Sequence, residues 1–260
     1  MAETQQQPEI VTIPCLKDNY AFLLHDPTTG ATAVVDAPEA APILAALKAR
    51  DWQLSDIFIT HHHWDHVDGV ADLVAATGAK VWGAAADAHR LPPLDHALAE
   101  GDQVSLGALQ GAVLDVSGHT VGHIAYHFPQ AGAVFTADSL MAGGCGRLFE
   151  GTAAQMWDSL SKLAALPPTT LVCSGHEYTT GNLRFAQSVD PGNSALISRV
   201  TAVDAARAEG RPTVPSTLSL ELATNPFLRA ADPAIARHLD LDGADPATVF
   251  ARLRSMKDAF

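Results

Sequence analysis

The sequence predicts a mixed α/β protein in two parts: a body over residues 1–175 and a helical domain over residues 176–260. Three observations lead there. Short apolar, β-branched runs recur as far as Cys173 and are bounded by turn residues. Amphipathic helical stretches lie between those runs, the alternation that builds layered α/β domains. Beyond Gly175 the helical stretches follow one another with no convincing strand between them.

In chain order, residues 9–14 and 20–25 read as strands joined by the turn-like Lys17-Asp18-Asn19. Pro27-Thr28-Thr29-Gly30 is a hairpin turn before a returning strand at 31–36. Residues 38–50 read as a helix, with Pro38 in its first turn and Ile43, Leu44 and Leu47 on one face. A β-prone run at 54–59 leads into Thr60-His61-His62-His63-Trp64-Asp65-His66, and one helix is expected over 67–77, ending at Gly78. A short strand at 79–82 precedes an irregular connection, 84–101, where Pro92-Pro93 breaks any period and His89 and His96 read as surface residues. Strands follow at 104–106, 112–116, 124–128 and 133–136, then a helix at 152–166 carrying Met156, Leu160 and Leu163 and stopped by Pro167-Pro168. Residues 170–173 form the last buried strand; 179–189, 194–209, 233–239 and 246–257 are helices.

The histidine run carries the chemistry. Side chains two apart in extended chain point the same way, so His61 and His63 converge while His62 faces elsewhere. Asp65 and His66 follow where the chain turns toward a helix and reach a second point nearby. Neutral imidazole and carboxylate are favoured ligands of Zn²⁺ and Fe²⁺, and a packed core has no use for four such groups so close together. Three more candidates stand just past strand ends: His119 after Val116, Asp138 after Ala137, and His176 after Gly175. Loops at strand ends on one rim of a rigid scaffold are where sites are built. Seven ligands exceed the needs of one tetrahedral ion. His61, His63 and His119 suit one ion, Asp65, His66 and His176 a second, and Asp138 is left as a carboxylate able to bridge both.

Composition narrows the partners. The chain has 47% hydrophobic and 17% charged residues, the balance of an ordinary globular protein. A net charge of −13 excludes a nucleic-acid surface, which needs clustered cations. The charge is uneven: residues 1–199 hold 9 Lys+Arg against 21 Asp+Glu, and residues 200–260 hold 7 against 8, a tail able to bring cations to a small anion. Cys15, Cys145 and Cys173 are too few and scattered for a disulfide framework. No apolar run approaches a membrane span and the polar start lacks a signal-peptide core, so a cytoplasmic location is expected; a monomer is expected separately, with no sequence feature that fixes it.

The chain resembles the metallo-β-lactamase-fold hydrolases and, within them, the glyoxalase II (hydroxyacylglutathione hydrolase) family. The resemblance runs through Ile13-Pro14, Asp18-Asn19-Tyr20, Thr60 to His66 and Gly118-His119-Thr120. It continues in Gly144-Cys145-Gly146-Arg147-Leu148-Phe149-Glu150-Gly151-Thr152, Gly175-His176-Glu177-Tyr178-Thr179, Asn225-Pro226-Phe227 and the ending Leu253-Arg254-Ser255-Met256-Lys257-Asp258. It implies an αββα sandwich with a binuclear site at the sheet ends and a C-terminal helical domain that helps bind glutathione. The implied metals are Zn, with Fe or Mn as alternatives. The implied substrate contacts are Arg147, Phe149, Tyr178, Arg254 and Lys257. The implied reaction is hydrolysis of S-lactoylglutathione to lactate and glutathione, the second step of methylglyoxal detoxification, by a hydroxide bridging the two ions and held by Asp138 and the other ligands.

Two positions depart from the family pattern. Ala137 stands before the bridging aspartate where glycine is usual, and Phe149 replaces a tyrosine that some relatives use to hydrogen-bond glutathione. Asp36, His123 and Glu177 read as supports of the ligands rather than as acids. Competing readings on the same fold are a mono-iron sulfur dioxygenase and a lactone or β-lactam hydrolase.

Overall fold

The computed structural model describes residues 7–260. Contact density divides the chain into two compact units. One runs up to Asp115 and resumes at Gly122–Phe135; the other comprises Val116–Val121 and Thr136–Phe260.

The first unit opens with β1 (Glu9–Cys15), β2 (Asn19–His25) and β3 (Ala31–Val35). Then come α1 (Ala40–Arg50), β4 (Gln53–Phe58), α2 (Trp64–Val67), α3 (Val70–Thr77), β5 (Lys80–Ala84) and β6 (His96–Leu98). These six strands form one sheet in sequence order. It is antiparallel from β1 to β3 and parallel from β3 to β6, with helices making the crossovers. β7 (Gln103–Leu106), β8 (Leu109–Asp115), β9 (Ile124–Phe128) and the start of β10 (Ala133–Ala137) add an antiparallel meander.

Both faces of the first sheet are covered, which is why β2 is buried along its whole length and shows no alternation. On one face Ile43 and Leu47 of α1 and Val70 and Leu73 of α3 pack on Leu23, Val34, Ile57 and Val81. On the other, Phe22 meets Phe135 at 5.9 Å between ring centroids, and Phe58 meets Tyr126 at 5.0 Å and Phe128 at 5.9 Å. Tyr126 reaches this core because its hydroxyl donates to Ile59 O at 2.8 Å.

The helix expected over 67–77 begins only at Val70, after the separate one-turn α2, and the reason lies earlier in the chain. His66 O accepts from Ala37 N and Gly69 N donates to Ala37 O, both at 2.8 Å, so helical partners are given up to the segment before α1. Gly69 is needed there: a Cβ would lie 2.7 Å from the Glu39 carbonyl carbon. Asp65 and His66 are thereby on a short helix, not in a turn. The 84–101 connection also contains β6, three residues too brief for a period to show, where His96 stacks on Trp82 at 3.7 Å. His89 and His96 are exposed.

The second unit contains the end of β10, β11 (Leu140–Met141), β12 (Gly144–Cys145), α4 (Ala153–Ala164) and β13 (Leu171–Ser174). It continues with α5 (Thr179–Val189), α6 (Ser194–Ala208), β14 (Ser216–Thr217), α7 (Leu218–Thr224), α8 (Pro233–His238) and α9 (Pro246–Ala259). α4 starts at a capping box between Thr152 and Gln155 and buries Met156, Leu160 and Leu163. Its Trp157 meets Phe250 of α9. α5 and α6 share Leu183, Ala186, Leu196 and Val203. The expectation of no strand beyond Gly175 is corrected by β14, which pairs antiparallel with β13. The contact division also differs from a boundary near 175: residues 136–175 cluster with the C-terminal helices, because element type is legible locally and contact density is not.

Candidate metal centre

Each unit gathers its own set of candidate ligands. In the first, β4 ends at Phe58 and delivers Thr60 and His61, both fully buried, beside Asp36 at the end of β3. Asp36 accepts Thr60 N on Oδ1 at 2.9 Å, and Thr60 Oγ1 on Oδ2 at 2.9 Å. Its Oδ2 also lies 2.8 Å from His66 Nδ1. That bond protonates Nδ1 and turns the Nε2 lone pair outward. The Asp36 carboxylate, His61 and His66 offer donor atoms within 4.8 Å of one another. His61 Nε2 lies 3.1 Å from His63 Nδ1, and its own Nδ1 is 3.0 Å from Thr60 Oγ1. His123 stacks on His61 at 4.5 Å and 11°. Asp65 Oδ2 stands 4.0 Å from His66 Nε2 and is steadied by Asn19 Nδ2 at 3.2 Å. His62 does face elsewhere, toward Asp87 at 3.2 Å.

In the second unit the candidate ligands are His119, Asp138 and His176. His119 Nε2 lies 3.5 Å from Asp138 Oδ2, and His176 Nε2 lies 3.3 Å from Asp138 Oδ1. The Arg147 carbonyl, 2.7 Å from His119 Nδ1, fixes that ring in the same sense as Asp36 fixes His66. Gly118, at φ +152, admits α4 beside this loop, since a Cβ would come 2.7 Å from Met156 Cβ. Ala137 has φ 40, a left-handed conformation for a residue with a Cβ, and its carbonyl accepts Gly175 N at 3.1 Å.

These donors fit a metal. Atoms held about 2.0–2.1 Å from a tetrahedral ion stand roughly 3.3–3.4 Å apart, longer than a good hydrogen bond. The Asp138 separations from both histidines lie close to that value. Two imidazoles whose Nδ1 faces an oxygen present Nε2 as the atom that would take a divalent ion.

The expected substrate contacts also lie in the second unit. Phe149 sets its ring edge-on to His119 at 5.2 Å, and Tyr178 stacks on His176 at 4.6 Å and 6°; both are exposed. Arg147 and Arg254 share one carboxylate, with Arg147 Nε at 3.2 Å and Arg254 Nη2 at 2.9 Å from Asp258 Oδ1. Sequence reasoning missed that role of Asp258; its spacing of four from Arg254 on a helix was the available signal. Arg254 is not a solvated tail cation: it is 6% exposed, lies over the Phe227 ring and donates to Cys145 O at 2.8 Å. Lys257 Nζ donates to Gly181 O at 3.2 Å, and burial followed by the nearby Arg254 charge lowers its pKa. Glu177 is taken up by Thr213, accepting its N–H at 2.8 Å and its hydroxyl at 2.6 Å.

Residues 19–176 match the model of the metallo-beta-lactamase superfamily, and residues 177–260 match the hydroxyacylglutathione hydrolase C-terminus. The chain is 71% identical over 253 residues to a hydroxyacylglutathione hydrolase of Jannaschia sp. (strain CCS1), covering 97% of this chain and 99% of the relative. It is 67% identical to that of Ruegeria pomeroyi over the same shares. Among solved structures, ETHE1 from Myxococcus xanthus superposes with a TM-score of 0.64 at 24% identity, over 98% of this chain and 99% of that one. TTHA1623, described in a di-iron-bound form, has a TM-score of 0.59 at 29% identity, over 85% and 100%.

Proposed function

Because the chain belongs to the hydroxyacylglutathione hydrolases of the metallo-β-lactamase superfamily, we propose that it hydrolyses S-2-hydroxyacylglutathione thioesters, such as S-lactoylglutathione, at a centre of two divalent ions. His61, His63 and His119 would hold one ion, Asp65, His66 and His176 the other, and Asp138 would bridge them. The observation that carries this reading is the second-unit trio, in which one carboxylate offers a different oxygen to each of two histidines. Two ions so held supply a water of lowered pKa and a Lewis acid for the thioester carbonyl. Zn is the metal the donor set suits best, with Fe and Mn accepted by the same groups.

The protein's own groups do the rest. Asp36 and the Arg147 carbonyl stand against Nδ1 of His66 and His119 and aim each ring through Nε2. Tyr178 and Phe149, packed on His176 and His119, would offer exposed aromatic faces to the glutathione part of the substrate. Arg147, Arg254 and Lys257 supply positive charge for the glutathione carboxylates. The leaving thiol has an ordinary pKa of about 8.5, so its thiolate departs without a strong general acid. None is required of Glu177 or His123, which are engaged with Thr213 and His61.

No described helix is long and apolar enough to cross a membrane. A monomer acting in the cytoplasm on a small-molecule thioester, without nucleic acid or membrane, fits this reading. Metal content and S-lactoylglutathione hydrolysis measured on one purified sample test it. Two ions per chain with turnover is the expected result, and a fully loaded protein with one ion or no thioesterase activity would overturn it.

A further inference from the structure

The chain that leaves Asp138 turns back through β11 and β12, a ladder of only two residue pairs. Its other backbone groups are met by side chains from the C-terminal helices. Asn225, which closes α7, donates from Nδ2 to Met141 O at 3.2 Å and Gly144 O at 2.9 Å. Asn182 of α5 donates to Ala142 O at 3.1 Å. Glu221 of α7 accepts Gly143 N on Oε2 at 2.8 Å. Arg254 of α9 takes Cys145 O. The turn approaches this closely because Gly143, at φ +68, and Gly144 have no side chain; a Cβ on them would lie 2.7 Å from Leu183 Cδ2 and 2.6 Å from Asn182 Cγ.

Glu221 is fully buried. Its second oxygen receives the Arg199 guanidinium and, at 2.5 Å, Ser216 Oγ, while Arg199 Nη1 donates to Thr224 Oγ1 at 2.7 Å. A buried ion pair is weak evidence of stability, since apolar groups of the same volume commonly do as well. An apolar residue at 221 would leave Gly143 N–H buried without an acceptor, so the carboxylate is tied to the turn. The turn in turn is tied to the ligands. Its first residues continue from Asp138, Gly146 N donates to Ser139 O at 3.2 Å, and the next carbonyl, that of Arg147, holds His119 Nδ1.

We propose that Glu221, with Asn225 and Asn182, is a positioning residue for the His119–Asp138 pair, acting through the turn at residues 140–147. The C-terminal helices then do more than face glutathione: they hold half of the metal centre in register. The proposal rests on His119 and Asp138 being metal ligands.

The test uses the full chain, stripped of metal and titrated with Co²⁺ followed by its absorption bands, with Zn²⁺ affinity from chelator competition. Glu221→Gln keeps the shape but cannot pair with the guanidinium. Asn182→Ala removes one neutral hydrogen bond and no charge, and so remains folded even if the first variant does not. In both, the ion of the three-histidine set is expected to bind at least about tenfold more weakly and its Co²⁺ spectrum to change, while the other ion is affected less. With metal saturating, kcat falls and KM for S-lactoylglutathione stays within about twofold. Unchanged affinity and spectrum, or equal loss of both ions in step with the unfolding temperature, would overturn the proposal. Wild type that takes up one ion or none would overturn the binuclear reading and this proposal with it.

Discussion

Gly146→Ala puts a methyl group where the second-unit ligands are packed most tightly. A Cβ there would lie 2.0 Å from the Asp138 carbonyl oxygen and 2.9 Å from His119 Nδ1. Ordinary contact begins at 3.4 Å, so backbone, not a flexible side-chain end, must give way. Sharing the 1.4 Å shortfall between 2.0 and 3.4 Å equally moves Asp138 by about 0.7 Å, and a misplacement approaching 1 Å near the chemistry costs about 100-fold in rate. Overpacking of this kind destabilises by about 1–3 kcal/mol, a loss a chain of this size withstands while folded. Expected, therefore, are a cooperative unfolding transition at lower temperature, a weakened metal complex, and kcat down by about two orders of magnitude with saturating Zn²⁺. Activity within about threefold of wild type, with metal affinity unchanged, would mean that Asp138 tolerates the shift and that its position does not set the rate.

Asp138→Ala should abolish hydrolysis and weaken both ions in elemental analysis, whereas loss of a single ion would deny it a bridging role. Lys257→Ala should raise KM for glutathione thioesters about tenfold or more, since charge-assisted contacts contribute about 1.5–3 kcal/mol, and should not affect a small thioester without glutathione carboxylates. Arg254→Ala should lower kcat as well, because it also frees the buried Cys145 carbonyl; a pure KM effect would confine Arg254 to substrate. Burial pushes the Cys145 thiol up from 9.0 to about 11, despite the lowering influence of Arg254. Its folded-state pKa is the higher one, so the stability it contributes is complete below pH 9 and is lost as pH rises toward 11; Cys145→Ser measured across that window should flatten the decline. For Ala137→Gly, relief of about 1–2 kcal/mol of left-handed strain is offset by about 0.5–1 kcal/mol of chain entropy and about 0.8 kcal/mol for the buried methyl. Stability should therefore change by less than about 1 kcal/mol, and a larger gain in chemical denaturation would show that the strain at φ 40 is underestimated.

What the sequence determined by itself was local chemistry and local periodicity. The candidate ligands His61, His63, Asp65 and His66 stand in one short stretch after a strand, a spacing that suits metal binding better than a packed core. Strands β1 to β5 and the helices α4 and α9 were legible because their apolar periods lie within one element. Only the tertiary structure decided features whose cause lies elsewhere in the chain. The helix expected over 67–77 begins at Val70, apart from α2, because Ala37 pairs with His66 and Gly69. β14 is a strand only because β13 is beside it. Arg254 looks like a surface cation until Phe227, Cys145 and Asp258 surround it. Glu221 reads as one more charge on a helix until Gly143, Arg199 and Ser216 converge on it. A buried polar group must find its partner wherever the fold supplies one, and that partner's distance along the chain carries no signal in the residues themselves.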